Sequence, residues 1–210
     1  MIAFHLRLVA RSMRWLGAAI IVLIWMLISL SDPGPALSNA GSGFLLLFAV
    51  ACWITVVTGN VDDDGHRELV TASVGSPARL HRLRALSAWI AANAIGVVVT
   101  LTALVASSHP VRPASEATVV AACIAVQLSA TAIGVGCGAL LHRPVVRHLG
   151  ITLFASVAVL VALVLFPPTQ HLFRQLNDGR TGGLVIYAAG AVVLAVVAVT
   201  AGSLLADRRN

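Results

Sequence analysis

The feature that most limits this chain is a series of six apolar runs of near-spanning length, none containing Asp, Glu, Arg or His. They cover residues 15–30, 43–58, 85–106, 117–141, 150–166 and 183–206. A helix needs about 20 predominantly apolar residues to cross the bilayer hydrocarbon, with ~17 the short limit. The first, second and fifth runs sit near that limit and have to borrow flanking residues. Composition agrees: 59% of the 210 residues are apolar and 10% charged, against ~45–50% and ~25% in soluble domains. The expectation is an all-α polytopic membrane protein, a single transmembrane domain with six transmembrane helices. Absence of ionisable groups at membrane depth argues against a proton relay or an ion pump.

The basic residues supply an orientation. All fourteen are Arg. Eleven fall before run one, between runs two and three, between four and five, and after six: Arg7, Arg11, Arg14, Arg67, Arg79, Arg82, Arg84, Arg143, Arg147, Arg208 and Arg209. Only Arg112, Arg174 and Arg180 lie on the other side. Basic loops stay in the cytoplasm, so both termini are expected there, in a cytoplasmic membrane. The Arg-only, Ala/Val-rich usage suggests a bacterial source. The net charge of +6 is then a topology signal. No nucleic-acid partner is expected, because no basic patch alternates with aromatics. Without Lys the chain cannot form a G-x-x-x-x-G-K-[ST] phosphate loop.

The segments between the runs carry local signals. Ile2, Leu6, Val9, Met13 and Leu16 follow helical spacing, with Arg7, Arg11 and Arg14 on the opposite face. That pattern suits an interfacial amphipathic helix over 1–14. The cytoplasmic segment 60–84 reads as an elbow. Asp64 can cap a short helix from about His66 to Val74, Gly75 suits a left-handed C-terminal position, and Ser76-Pro77 opens a second helix leading into span three. On the outer side, 31–42 and 107–116 read as irregular, whereas Pro168 can start a short helix within 167–182.

Inside the spans, Ala130, Gly134 and Gly138 form a small-residue stripe, and Ala191, Ala195, Ala198 and Gly202 another. Such stripes let helices approach closely, within or between subunits. Asn93 and Gln127 are the most polar membrane residues; interhelical hydrogen bonding is the ordinary reading, and contact with a transported molecule the alternative.

No catalytic constellation emerges. Cys52, Cys123 and Cys137 lie scattered in apolar runs, as packing residues do. An intramembrane serine protease needs a nucleophile turn and a membrane His, and neither is present. Asp62-Asp63-Asp64-Gly65 lacks the second acidic pair that a membrane phosphoalcohol transferase uses to hold its cation. His142 and His148 have no third ligand beside them, so no metal site is expected.

With these residues laid out, the chain resembles the membrane (permease) subunits of ATP-binding-cassette transporters of the type-2 exporter class. Met1–Leu16 is similar to that family's connecting helix, and the D-D-D-G-H-R-E-L-V segment to its coupling helix between spans two and three. The stretch from Gly134 to His148 is similar to its fourth span, and 167–182 occupies the place of its short outer helix. Glu68-Leu69-Val70 stands where Glu-Leu-Leu is commoner. The resemblance implies a subunit that dimerises with a second permease copy or paralogue to enclose a pathway for an amphipathic or lipophilic substrate. It implies a separate ATPase subunit binding ATP and Mg, with no cofactor on this chain and no enzymatic activity of its own. Asp64, Gly65, Glu68, Leu69, Val70, Val74 and Arg79 would couple to that ATPase. A six-span assembly, sensing or regulatory protein that transports nothing is the alternative.

Overall fold

The computed structural model describes residues 2–32, 34–60, 64–107, 116–141 and 183–208, with isolated positions between 155 and 174. Among the described residues the chain is all-helical. The helices are α1 (Ile2–Arg11), α2 (Leu16–Ser31), α3 (Ala36–Gly59), α4 (Asp64–Val74), α5 (Pro77–Val105), α6 (Glu116–Leu141) and α7 (Leu184–Arg208). Four of them, α3, α5, α6 and α7, are long and apolar enough to cross a membrane, and α1 with α2 forms a fifth candidate bent by 79°. The fifth predicted span (150–166) and the outer segment 167–182 lie outside the described residues, apart from isolated positions.

Two expectations need correcting. The N-terminal helix, expected over 1–14, is shorter: α1 stops at Arg11, and Met13 takes a left-handed φ of 55°. The Ser12 hydroxyl donates to the Val9 carbonyl at 2.8 Å, which helps close the end of α1. Residues 36–42, expected to be irregular, form the first two turns of α3. Pro35 precedes that helix with φ −59°, a geometry suited to a helix start. The residues behind it are already in the core: Ala36, Leu37 and Ala40 are buried.

α3 and α6 form the centre, with 72% and 67% of their apolar windows buried, against 11% for α7. Phe44, Leu47 and Val50 of α3 pack with Val119, Ala122 and Val126 of α6 in the main apolar cluster. The α3–α6 contact is made at backbone distance. A Cβ placed on Gly134 would stand 2.5 Å from the Phe48 carbonyl oxygen, and one on Gly138 would stand 2.7 Å from that of Cys52. On another face of α6, a Cβ on Gly136 would meet the Ala195 Cα of α7 at 3.0 Å. Both small-residue stripes therefore serve contacts within this chain. Outward faces of α2, α5 and α7 expose Ile24, Leu27, Leu101, Val193 and Leu194. Such faces suit hydrocarbon and not water.

Contact pairs set the chain direction. Gly134 and Gly138 follow Phe48 and Thr55 in the same order, so α3 and α6 run parallel. Gly136 meets Ala195, and Gly202 approaches Ala139, so α6 and α7 also run parallel. α5 runs opposite to α7, with Ala78 beside Asp207.

Hydroxyls within the helices satisfy themselves. Thr55, Ser87, Thr102, Ser129 and Thr200 each donate to the carbonyl four residues back, at 2.7–2.9 Å. Where water is scarce, that local bond removes the cost of an unpaired O–H.

Candidate functional site

The structure gathers the start of the chain, the α4–α5 elbow and the end of α7 at one end of the bundle. Two ties fix the α1–α2 corner to the end of α3: Arg14 Nη1 donates to the Asn60 carbonyl at 3.1 Å, and Trp53 Nε1 donates to the Arg14 carbonyl at 3.1 Å. α1 packs against α5 and α3. It buries His5 and Val9 while Arg7, Arg11 and Arg14 stay exposed. The buried face thus includes a His where the sequence pattern offered only apolar positions.

The elbow is built from local chemistry. Gly75 ends α4 with φ 91°, in the left-handed region that glycine enters without strain. The Ser76 hydroxyl accepts from the Arg79 N–H at 3.2 Å, and Pro77 occupies the first turn of α5. Val70 and Val74 are buried with Leu80 in a small apolar cluster against α5. Both valines, named from the sequence as coupling candidates, are thus occupied by packing inside the chain. Glu68, Leu69 and Arg79 are exposed, Leu69 at 71%. Asp64 and Gly65 lie in the first turn of α4.

The elbow is latched to α7. Asp207 Oδ1 accepts from the Ala78 N–H at 3.1 Å, so α5 has two acceptors over its N-terminal amides. One turn further along, His81 is 3% exposed, and its ring lies where a Cβ on Gly202 would stand, 2.7 Å from Nε2. Arg84 is equally buried. The sequence reading missed this latch. The signal available was Asp207 itself: a carboxylate in the last turn of a helix opposes the macrodipole and needs a compensating partner.

At mid-bundle, Asn93 and Gln127 belong to one polar network between α5 and α6. Thr100 Oγ1 donates to Gln127 Oε1 at 2.8 Å, and Gln127 Nε2 donates to the Asn93 carbonyl at 3.3 Å. Thr131 Oγ1 donates to Asn93 Oδ1 at 3.3 Å, and Asn93 Nδ2 to the Trp89 carbonyl at 2.8 Å. Gly96 makes room for Gln127, whose side chain lies 2.8 Å from where a Cβ would stand. With its amides bonded between helices, the network reads as interhelical glue.

A lateral cleft of about 360 Å³ opens between α5 and α7, floored by Ala132 and Val135 of α6. Leu86 and Trp89 form one wall, Val192 and Val196 the other, and Arg82 stands at one end. No group of three or more metal-ligating side chains occurs among the described residues. Comparison with known proteins finds no match: no family model fits the chain, and neither a curated protein nor a solved structure is similar to it.

Proposed function

We propose that this chain is the transmembrane subunit of an ATP-driven exporter of the ATP-binding-cassette type-2 class, working as a homo- or heterodimer with a separate ATPase. The observation that carries the reading is the paired elbow. An amphipathic helix turned 79° from its span and a helix–turn–helix opening α5 sit together at the Arg-rich end. In this reading that end is cytoplasmic, α1 lies in the headgroups, and α4 docks on the ATPase. The parallel course of α6 and α7 supports a further crossing between them, which would complete six spans.

The mechanism follows from which side chains are free. Glu68 offers a charge-assisted contact to a basic residue on the ATPase, and Leu69 offers an exposed apolar contact. Val70 and Val74 hold α4 against α5, so a push on α4 reaches α5 as rigid-body motion. The Asp207 latch carries the same displacement to α7. The absence of Asp, Glu, Arg and His from the six apolar runs favours an amphipathic or lipophilic substrate over a small ion.

The test is co-expression with any ATP-binding-cassette ATPase found encoded beside this reading frame, followed by co-purification and ATPase assay. Glu68→Arg with Leu69→Asp should release the ATPase without unfolding the membrane subunit. Retention of a fully coupled complex by that variant would remove the elbow from the mechanism. Absence of any co-purifying ATPase would favour a non-transporting six-span protein.

A further inference from the structure

The cleft between α5 and α7 has a use that does not depend on the exporter reading. Its walls are apolar from Leu86 and Trp89 on α5 to Val192 and Val196 on α7, and no carboxylate lines it. Thr200 also lines it, but its hydroxyl is bonded to the Val196 carbonyl at 2.7 Å. The remaining polar side chain is Arg82, exposed, at the end nearest the Arg-rich face. On one side of Arg82 the two helices meet through His81 and Gly202; on the other, toward Trp89, the cleft lies between them.

From Arg82 to Trp89 is two helical turns, about 10 Å of the roughly 15 Å of hydrocarbon in one leaflet. A cation at the interface above an apolar slot of that depth matches one chemistry: an anionic headgroup joined to an acyl chain. Its volume falls in the ~300–1,000 Å³ range of small-ligand sites. Arginine pairs with phosphate through a planar fork while its stem runs along apolar surface.

We propose that this cleft binds one anionic glycerophospholipid from the leaflet at the Arg-rich end, its phosphate on Arg82 and one acyl chain against Leu86, Trp89 and Val196. The site lies one turn beyond the latch, so an occupied cleft would brace α5 against α7 above the elbow.

Trp89 reports occupancy directly. The full chain is placed in nanodiscs containing brominated phosphatidylglycerol or brominated phosphatidylcholine, and the difference in emission between wild type and Trp89→Phe isolates this residue. Quenching of Trp89 should saturate at low mole fraction of the anionic lipid, with about five-fold preference over the zwitterionic one, the gain one basic residue makes at an anionic surface. Arg82→Gln should abolish the preference, and Val196→Phe, which fills the slot without adding to the tryptophan signal, should abolish the saturable component. Equal quenching by both lipids means ordinary bilayer contact and overturns the proposal. Protection of Trp89 from both lipids, by a second copy or another part of the chain, overturns it as well. Because Arg82 is exposed, loss of folding does not confound that variant; native mass spectrometry with the same two lipids gives an independent count of bound molecules.

Discussion

Replacing Gly134 by Ala tests whether α3 and α6 meet at backbone distance. The added Cβ would lie 2.5 Å from the Phe48 carbonyl oxygen, 2.8 Å from Ala51 Cβ and 3.2 Å from the Cys52 nitrogen. Two of those atoms are backbone and the third is a Cβ, so no flexible side chain can swing away. The helices have to separate across a contact that includes Cys52, Thr55 and Gly138. Overpacking of this kind costs ~1–3 kcal/mol, and the rigid surroundings favour the upper half. Alanine in a helix interior returns up to ~1 kcal/mol relative to glycine. Gly190 is the matched control, because nothing lies within 4 Å of its Cβ position; there only the gain remains. The two variants should therefore differ by about 2–3 kcal/mol, roughly 5–10 °C in Tm for a chain of this length. The assay is thermal unfolding in one detergent, followed by tryptophan emission and by retention of the monodisperse peak. If Gly134→Ala melts together with Gly190→Ala, the backbone-level contact is wrong, and with it the assignment of the Ala130, Gly134, Gly138 stripe to packing inside the chain.

Three further outcomes follow from the same geometry. Gly96→Ala should displace the Gln127 side chain, whose nearest atoms lie 2.8 Å from the new Cβ, and lower stability by about the ~0.6–1.7 kcal/mol that membrane hydrogen bonds contribute; Gly96→Ala combined with Gln127→Leu should cost less than the sum of the single changes in a double-mutant cycle. Asp207→Ala should cost ~0.5–2 kcal/mol, as loss of a helix cap does, and speed hydrogen exchange at the Ala78 amide, whereas Ser76→Ala should act most strongly at the Arg79 amide. Cys52 and Cys123 are buried and should resist a membrane-permeant maleimide until the protein is unfolded, with Cys137, less buried, reacting first.

What the sequence made legible is chemistry decided within a few residues. Gly75, Ser76 and Pro77 each had one good local conformation, and the structure uses them that way: a left-handed turn, an N-cap and a first-turn proline. The apolar runs announced helices because a segment of spanning length in hydrocarbon has to satisfy its own backbone N–H and C=O groups, which a helix does within one segment. The errors came where a local pattern was compatible with two structures. The apolar spacing from Ile2 to Leu16 continues through the corner at Met13, because both arms need an apolar side although their axes differ by 79°. The Gly, Ser and Asn residues from Ser38 to Ser42 read as a loop by aqueous rules, yet in a membrane helix small residues serve close packing.

The contacts that define the candidate sites lay beyond any such reading, because each depends on the register of two distant segments. Asn93 and Gln127 were visible as polar residues, but only the offset of α5 against α6 adds Thr100 and Thr131 and gives Gln127 its space at Gly96. Val70 and Val74 carried the same apolar signal as Leu69; the fold turns the valines onto Leu80 and leaves Leu69 outside. In the proposed exporter reading that division matters for coupling, since a helix proposed both to dock and to transmit needs one face for each task. α4 has them: Glu68 and Leu69 outward, Val70 and Val74 against α5. If the outward pair alone is changed, docking should fail while the membrane subunit keeps its Tm; if Val74→Asp is made instead, the elbow should detach from α5 and the Tm should fall. A common response to both changes would mean that α4 does not separate the two tasks.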